Sequence, residues 1–135
     1  MIGLLAVILL LAGALGWVRL APSDPEHWHR APQLAEATNS LNSAVREIAA
    51  GDDTLQQLDG IIRQTPRTRV LAGAPAEGMV TYVTRSAGFG FPDYTTVHQR
   101  DNTIEIYGRA RFGKSDFGVN AARIDGWLEA LAQGR

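Results

Sequence analysis

Three segments with strand-like alternation follow one another between residues 79 and 120, and they constrain the fold more than any other feature. Residues 79–86, 94–100 and 103–112 each alternate their side chains with a period of two, which is the repeat of a β-strand. Asp101 and Asn102 separate the last two segments, and such a two-residue connection is typical of a hairpin. Alternating strands with short connections predict an antiparallel sheet with one buried face.

Two helices are predicted to cover this sheet. Asp53 is expected to cap the first, with Gln56 three residues later as in a capping box, and Pro66 to end it. Residues 68–72 read as a further strand. The second helix follows a loop at 113–118 and directs five apolar side chains inward: Val119, Ile124, Trp127, Leu128 and Leu131. The fold class is therefore α+β, an antiparallel meander sheet of about four to five strands with two covering helices.

The N-terminal segment is apolar enough to cross a membrane. Residues 1–18 carry no charged side chain, and Trp17 and Arg19 end the run, as is common at a membrane interface. About 20 helical residues span a hydrocarbon core of about 30 Å. We therefore expect a transmembrane anchor at residues 1–20. A cleaved signal peptide is the alternative, with a small-residue site at Ala12-Gly13-Ala14.

Residues 21–41 are predicted to be a juxtamembrane tether, because three prolines between residues 22 and 32 oppose regular structure. His27 and His29 in this segment, with Asp24 and Glu26, suggest a metal site that His98 could complete. A polar collar around Trp28 at the headgroup level is the interpretation we favour, so no metal and no other cofactor is predicted. The remaining residues, 42–135, are predicted to form one globular domain.

Composition narrows the functional classes. The chain of 135 residues has 13 basic and 14 acidic residues and a net charge of −1, so nothing indicates a nucleic-acid partner. It contains no cysteine, which excludes disulfides and thiolate chemistry. Residues 108–115 match the phosphate-loop pattern G-x-x-x-x-G-K-[ST]. Because the first four of them continue a period-two strand and only one helix follows, we predict no nucleotide binding.

The motifs YVTRS, GFPDYTTV and RFGKSDFGVNAARIDGWL, together with the juxtamembrane VRLAPSDPEHWH, resemble the domain-of-unknown-function 1499 family. The resemblance implies a small bacterial (or plastid) protein behind one N-terminal hydrophobic segment, and no known reaction. It favours an inner-membrane protein with a periplasmic domain, although Arg19 and Arg30 would favour a cytoplasmic one. It also implies a strand at residues 42–48, whereas apolar residues recur at helical spacing between residues 34 and 48.

Charged residues in two loops form the candidate site. Arg109, Arg111 and Lys114 precede a helix N-terminus and suit an anion such as a lipid headgroup. The alternative that we favour is a structural brace, in which Asp93 and Asp116 pair with arginines. The loops at 87–93 and 113–120 are predicted to meet at one end of the sheet. The complete candidate cluster comprises Arg85, Asp93, Arg109, Arg111, Lys114, Ser115, Asp116, Asn120 and Arg123.

The sequence therefore predicts a membrane-anchored envelope protein that acts as a non-catalytic binding or interaction module. A protein or an anionic lipid headgroup is the expected partner. The alternative is a small envelope enzyme, or an anion site formed by Arg85, Asp93, Arg111 and Asp116. We leave open whether the protein is an enzyme. The sequence argues against it, because His98 lies mid-strand with no acid at a suggestive spacing.

Overall fold

The computed structural model describes residues 1–33 and 40–134. In these residues it shows a five-stranded antiparallel sheet, a 3-10 turn and four helices. The helices are α1 (Ile2–Leu20), α2 (Pro25–Trp28), α3 (Thr54–Arg63) and α4 (Val119–Gln133), and the 3-10 turn is Pro75–Glu77. The strands are β1 (Ser43–Ala49), β2 (Thr68–Ala74), β3 (Met79–Arg85), β4 (Pro92–Arg100) and β5 (Thr103–Ala110).

The strand order is β1-β5-β4-β3-β2, which confirms the predicted α+β fold. Strands β2 to β5 form a meander, and β4 and β5 pair from Asp93↔Ala110 to Arg100↔Thr103 around the predicted hairpin. Asp101 has a φ of 52° in that turn, a left-handed conformation that Asp tolerates better than most residues. Strand β5 ends two residues earlier than predicted, and β2 continues two residues further than predicted.

Residues 43–49 form a strand. This agrees with the family resemblance and disagrees with the helical spacing of the apolar residues. Strand β1 pairs with β5 from Ser43↔Arg109 to Ala49↔Thr103, so β5 is paired on both sides and β1 forms one edge of the sheet. Ala44 and Ile48 face the same side whether the period is two or 3.6, which explains why the sequence alone was ambiguous here. The part of the helical pattern at residues 34–39 lies outside the described residues.

Helices α3 and α4 pack together on one face of the sheet. Ile104 and Ile106 are buried under them, as predicted, and so is Trp127, whose indole Nε1 donates to Thr65 Oγ1 at 2.8 Å. Val119 was expected to point inward but is 46% exposed. The other core residues are Ala44, Leu55, Leu58, Ile62, Val80, Tyr82, Val97, Ile124 and Leu131.

The start of α3 differs from the predicted capping box. Asp53 occupies the N-cap position, but its side chain makes no capping hydrogen bond. Instead, Thr54 Oγ1 accepts a hydrogen bond from the Gly51 N–H at 2.8 Å. The Thr54 hydroxyl therefore stabilises the turn that precedes the helix, and Asp53 is exposed.

Helix α1 is long and apolar enough to cross a membrane, by length and composition. None of its side chains is buried against residues 1–33 and 40–134, so it contributes nothing to the core described above. These properties suit a membrane span, and they also suit a signal sequence.

Candidate functional site

The sheet face opposite α3 and α4, which we call the outer face, is covered by residues 21–29, which we call the strap. The Trp28 ring stacks on Tyr94 with 4.0 Å between centroids and 14° between planes. The Ser23 hydroxyl lies 2.7 Å from the Tyr94 hydroxyl, and His29 Nδ1 lies 2.8 Å from Thr81 Oγ1. Residues of the predicted tether therefore pack against the sheet.

Burial of the outer face corrects the prediction of a sheet with one buried face. Thr81, Val83, Tyr94 and Thr96 all point to this side and are at most 1% exposed. The physical reason is the strap, which removes them from water. Val83 is of a type that is most often buried and Tyr94 of an intermediate type, so the sequence contained only a weak signal.

Arg109 is the central contact between sheet and strap. Its Nη2 donates to the Trp28 carbonyl at 2.6 Å, and its Nη1 donates to Thr96 Oγ1 at 2.8 Å. The guanidinium also lies 5.5 Å from the Trp28 ring and 4.9 Å from the Tyr107 ring. Burial lowers the pKa of Arg109 to about 10. This predicted site residue therefore stabilises the strap.

Arg85 and Arg111 also donate to carbonyls near the strap. Arg111 Nη1 donates to the Pro22 carbonyl at 2.8 Å. Arg85 Nη1 donates to the Gly90 carbonyl at 2.9 Å and to the Val18 carbonyl in α1 at 3.3 Å. The end of the sheet that carries Arg85 is therefore the end where α1 finishes.

On the opposite side of the sheet, four polar side chains form a chain of contacts that we call the brace. Arg123 Nη1 contacts Asp93 Oδ2 and Asn120 Oδ1, each at 3.2 Å. Asn120 Nδ2 in turn donates to Asp116 Oδ2 at 2.8 Å. The Asp93 and Arg123 side chains are each 14% exposed. The brace fixes α4 to β4 and to the loop before the helix.

The two acids of the brace differ in their electrostatics. Burial raises the pKa of Asp93, and Arg123 offsets only part of that effect. Burial would also raise the pKa of Asp116, but hydrogen bonds from Asn120 and from the Gly118 N–H outweigh it and lower that pKa. Asp116 therefore accepts N–H groups at the start of α4, although Gly118 occupies the N-cap position. The predicted pairing of Asp116 with an arginine is wrong for the described residues, because these N–H groups and Asn120 take its oxygens.

The structure divides the predicted cluster into two groups. Asp93, Asp116, Asn120 and Arg123 meet in the brace, whereas the three arginines Arg85, Arg109 and Arg111 belong to the outer face. Lys114 is exposed. Ser115 Oγ accepts a hydrogen bond from the Phe117 N–H at 3.1 Å. The site is thus built from two separate sets of contacts.

The two loops do meet at one end of the sheet, where they enclose a cavity of about 570 Å³ that we call the end cleft. Phe91, Phe112, Phe117 and Val119 provide much of its lining, and Pro66 forms part of the far wall. Asp93, Asp116 and Arg123 line it as well, so the brace supports one wall. An apolar cavity with a few polar groups is typical of a ligand site.

Sequence reasoning missed the strap residues Ser23, His29 and Trp28 and their partner Tyr94. Trp28 was assigned to the membrane interface because it lies close to α1 in sequence. Its contact with Tyr94 joins residues 66 positions apart in the chain, which a local pattern does not reveal. The available signal was weak, because Val83 and Tyr94 share the outer face with Thr81 and Thr96.

The structure shows where the residues lie that were considered for metal and nucleotide chemistry. In the described residues there is no group of three or more His, Asp or Glu side chains that could share a metal ion. His98 lies beside Glu105, with 3.4 Å between Nδ1 and Oε2. The phosphate-loop pattern starts inside β5, and α4 begins only at Val119, four residues beyond Ser115.

Comparisons with known proteins point to one family. The model of the family described as "Protein of unknown function (DUF1499)" matches residues 18–131. A crystal structure of a DUF4468 family protein from Bacteroides ovatus ATCC 8483 is 12% identical in sequence, with a TM-score of 0.33. That match covers 70% of this chain and 68% of the other, but at this TM-score it carries no argument. The comparison with curated proteins found no match.

Proposed function

The chain belongs to the DUF1499 family of proteins of unknown function, and we propose that it is a membrane-anchored, non-catalytic binding module. In this proposal α1 is a single-pass anchor in the bacterial inner membrane, and the domain lies in the periplasm. The ligand is a membrane lipid, one acyl chain of which occupies the end cleft.

The observation that carries the proposal is the apolar lining of the end cleft together with its position. Phe91 is 39% exposed and Phe117 is 94% exposed, and both line the cleft. Exposed aromatic side chains around a cavity indicate a binding surface. The cleft lies at the end of the sheet where Arg85 contacts Val18 of α1, which is the end next to the bilayer if α1 spans it.

A binding role fits the polar groups of the cleft better than catalysis does. Asp93 is paired with Arg123, and Asp116 accepts hydrogen bonds from the backbone and from Asn120. Both carboxylates therefore have structural partners. His98 lies five residues from Asp93 along β4, a separation of roughly 17 Å in a strand. An acid and a base in reach of one substrate atom would be needed for general acid–base catalysis.

A lipid is favoured over a protein as the occupant because of local concentration. A domain held at the end of a membrane helix faces lipid at all times, and an acyl chain that moves from the bilayer into an apolar cleft stays out of water, so the transfer costs no hydrophobic free energy. The lining of the end cleft offers apolar side chains for such a chain. A protein partner would have to supply an apolar segment of similar width.

Photo-crosslinking tests the proposal. The full-length chain is reconstituted in nanodiscs that contain a phospholipid with a photoactivatable group at the end of one acyl chain. After illumination, mass spectrometry maps the crosslinked residues. We expect crosslinks at Phe91, Phe112 or Phe117 in addition to those along α1.

A matched pair of variants gives the control. Phe91→Ser should lower crosslinking in the cleft by roughly tenfold, as expected from loss of about 1.4 kcal/mol of apolar contact. Phe89→Ser should leave it unchanged, because Phe89 is also an exposed aromatic side chain of this loop but does not line the cleft. Crosslinks confined to α1 would contradict the proposal and favour a protein partner.

A further inference from the structure

A second cavity, which we call the arginine recess, lies beside the end cleft and has a volume of about 490 Å³. The two cavities share Arg67, Arg85 and Ser86 as lining residues. They differ in chemistry, because the end cleft also contains three phenylalanines and two carboxylates, whereas the recess has neither and is lined by four arginines. These are Arg19, Arg67, Arg69 and Arg85.

The charge of the recess is uncompensated within the described part of the chain. None of its lining residues is acidic, and none of the four arginines forms an ion pair with a described residue. Arg85 donates through Nη1 to two carbonyls, and Arg67 donates through Nε to one. Each guanidinium carries five N–H donors, so these bonds leave most of the donors available to an anion.

Backbone contacts hold two of the arginines in place. Arg67 has a φ of 57°, a left-handed conformation that is unfavourable for a residue with a long side chain. The Arg85 N–H donates to the Arg67 carbonyl at 3.0 Å, and Arg67 Nε donates to the Arg85 carbonyl at 3.0 Å. Uncommon backbone conformations that neighbouring contacts maintain are found at ligand sites.

The recess is also placed at the end of the membrane helix. Arg19 belongs to the last turn of α1, and its Cγ would lie 3.1 Å from a Cβ added to Gly90. Gly90 has a φ of 73°, a backbone conformation that favours glycine. Because Gly90 has no side chain, the loop that contains it can lie close to the end of α1. If α1 spans the bilayer, the recess lies at the level of the lipid headgroups, next to the exposed Phe89.

We propose that the arginine recess binds the phosphodiester of an anionic phospholipid whose acyl chain lies in the end cleft. This inference rests on the proposed function, since it assigns the headgroup of the same ligand. Arginine suits this role because its planar guanidinium binds phosphate oxygens in a bidentate way. The preference for an anionic lipid follows from the net positive charge of the recess.

Native mass spectrometry of the full-length chain tests the headgroup preference. The protein is released from detergent micelles that contain equal amounts of phosphatidylglycerol and phosphatidylcholine, and the retained lipids are counted. The test variant is Arg67→Gln with Arg69→Gln. The control is Arg30→Gln with Arg100→Gln, which removes the same charge away from the recess.

We expect the wild type to retain phosphatidylglycerol in preference to phosphatidylcholine. The test variant should lose that preference by about tenfold, which corresponds to about 1.4 kcal/mol, and the control should keep it. Circular dichroism verifies that each variant is folded. If the double variant does not fold, Arg69→Gln alone serves, since this side chain is exposed, and a loss of about threefold is expected.

Equal preference in the test variant and the control would overturn the assignment of the recess. Loss of the phosphatidylglycerol preference in millimolar inorganic phosphate, with the total lipid retained unchanged, would also overturn it, because free phosphate would then occupy the recess in place of the headgroup. The cleft is judged separately: Phe91→Ser should reduce the total lipid retained without changing the ratio of the two lipids. If the wild type prefers phosphatidylglycerol but Phe91→Ser retains as much lipid as the wild type, the acyl-chain site in the end cleft is contradicted. The headgroup site in the arginine recess is then not contradicted.

Discussion

Replacing Trp28 with alanine is expected to destabilise the domain by about 2–3.5 kcal/mol, because the strap is part of the packed structure. Stacking on Tyr94 at 4.0 Å contributes about 0.5–1.5 kcal/mol. The Arg109 guanidinium 5.5 Å from the indole adds about 0.5–1 kcal/mol. Loss of the apolar area that the ring covers accounts for about 1 kcal/mol more.

Urea unfolding of the full-length chain in detergent micelles, followed by circular dichroism, measures this difference. The matched control is Trp17→Ala, because Trp17 lies in α1 and is 61% exposed. The control should change the free energy of unfolding by less than about 0.5 kcal/mol, as surface substitutions usually do. A Trp28→Ala variant as stable as the wild type would show that residues 21–29 are only a tether.

Three further predictions concern the core, the brace and the anchor. Trp127→Ala should cost about 3–5 kcal/mol in the same unfolding assay, as truncation of a large core aromatic residue does. Asp116→Ala should cost about 0.5–2 kcal/mol at neutral pH, and a difference that stayed constant from pH 7 to pH 3 would contradict the role of the carboxylate. Because folding lowers the pKa of Asp116 from its ordinary 3.8, its stabilisation is present above that value and is lost as the pH falls through the lowered pKa. Mass measurement of the mature N-terminus should find an intact α1, whereas a protein that starts near Leu15 would show a cleaved signal peptide.

The sheet was predictable because period-two alternation and short turns are local properties of the chain. Between Met79 and Ala110 the sequence has one proline, Pro92, which lies at the start of β4. The strands of this segment pair with their neighbours in sequence. Strand β1 was ambiguous for the opposite reason. It pairs with β5 across a separation of about 60 residues, and Ala44 and Ile48 satisfy both periods.

The candidate site was predictable only in part. The meeting of the two loops follows from reversal of the chain at Asp101, so connectivity alone was sufficient. Which acid pairs with which arginine depends on the side of the sheet that each residue faces and on the position of α4. Arg111 therefore belongs to the outer face, and Asp93 pairs with Arg123. The strap contacts needed knowledge of the whole fold.

The absence of cysteine from the sequence makes the central claim directly measurable, since single cysteines can be labelled without background. The claim is that the end of the sheet that carries the end cleft and the arginine recess faces the membrane. Phe89→Cys places a fluorescent label at that end. Asn102→Cys places the label in the hairpin at the other end of β4, roughly 30 Å away for nine residues of strand.

Quenching of the two labels by spin-labelled lipid is the measurement, on the full-length chain in liposomes. We expect strong quenching at residue 89 and little at residue 102. Equal quenching at both positions, or stronger quenching at residue 102, would contradict the central claim.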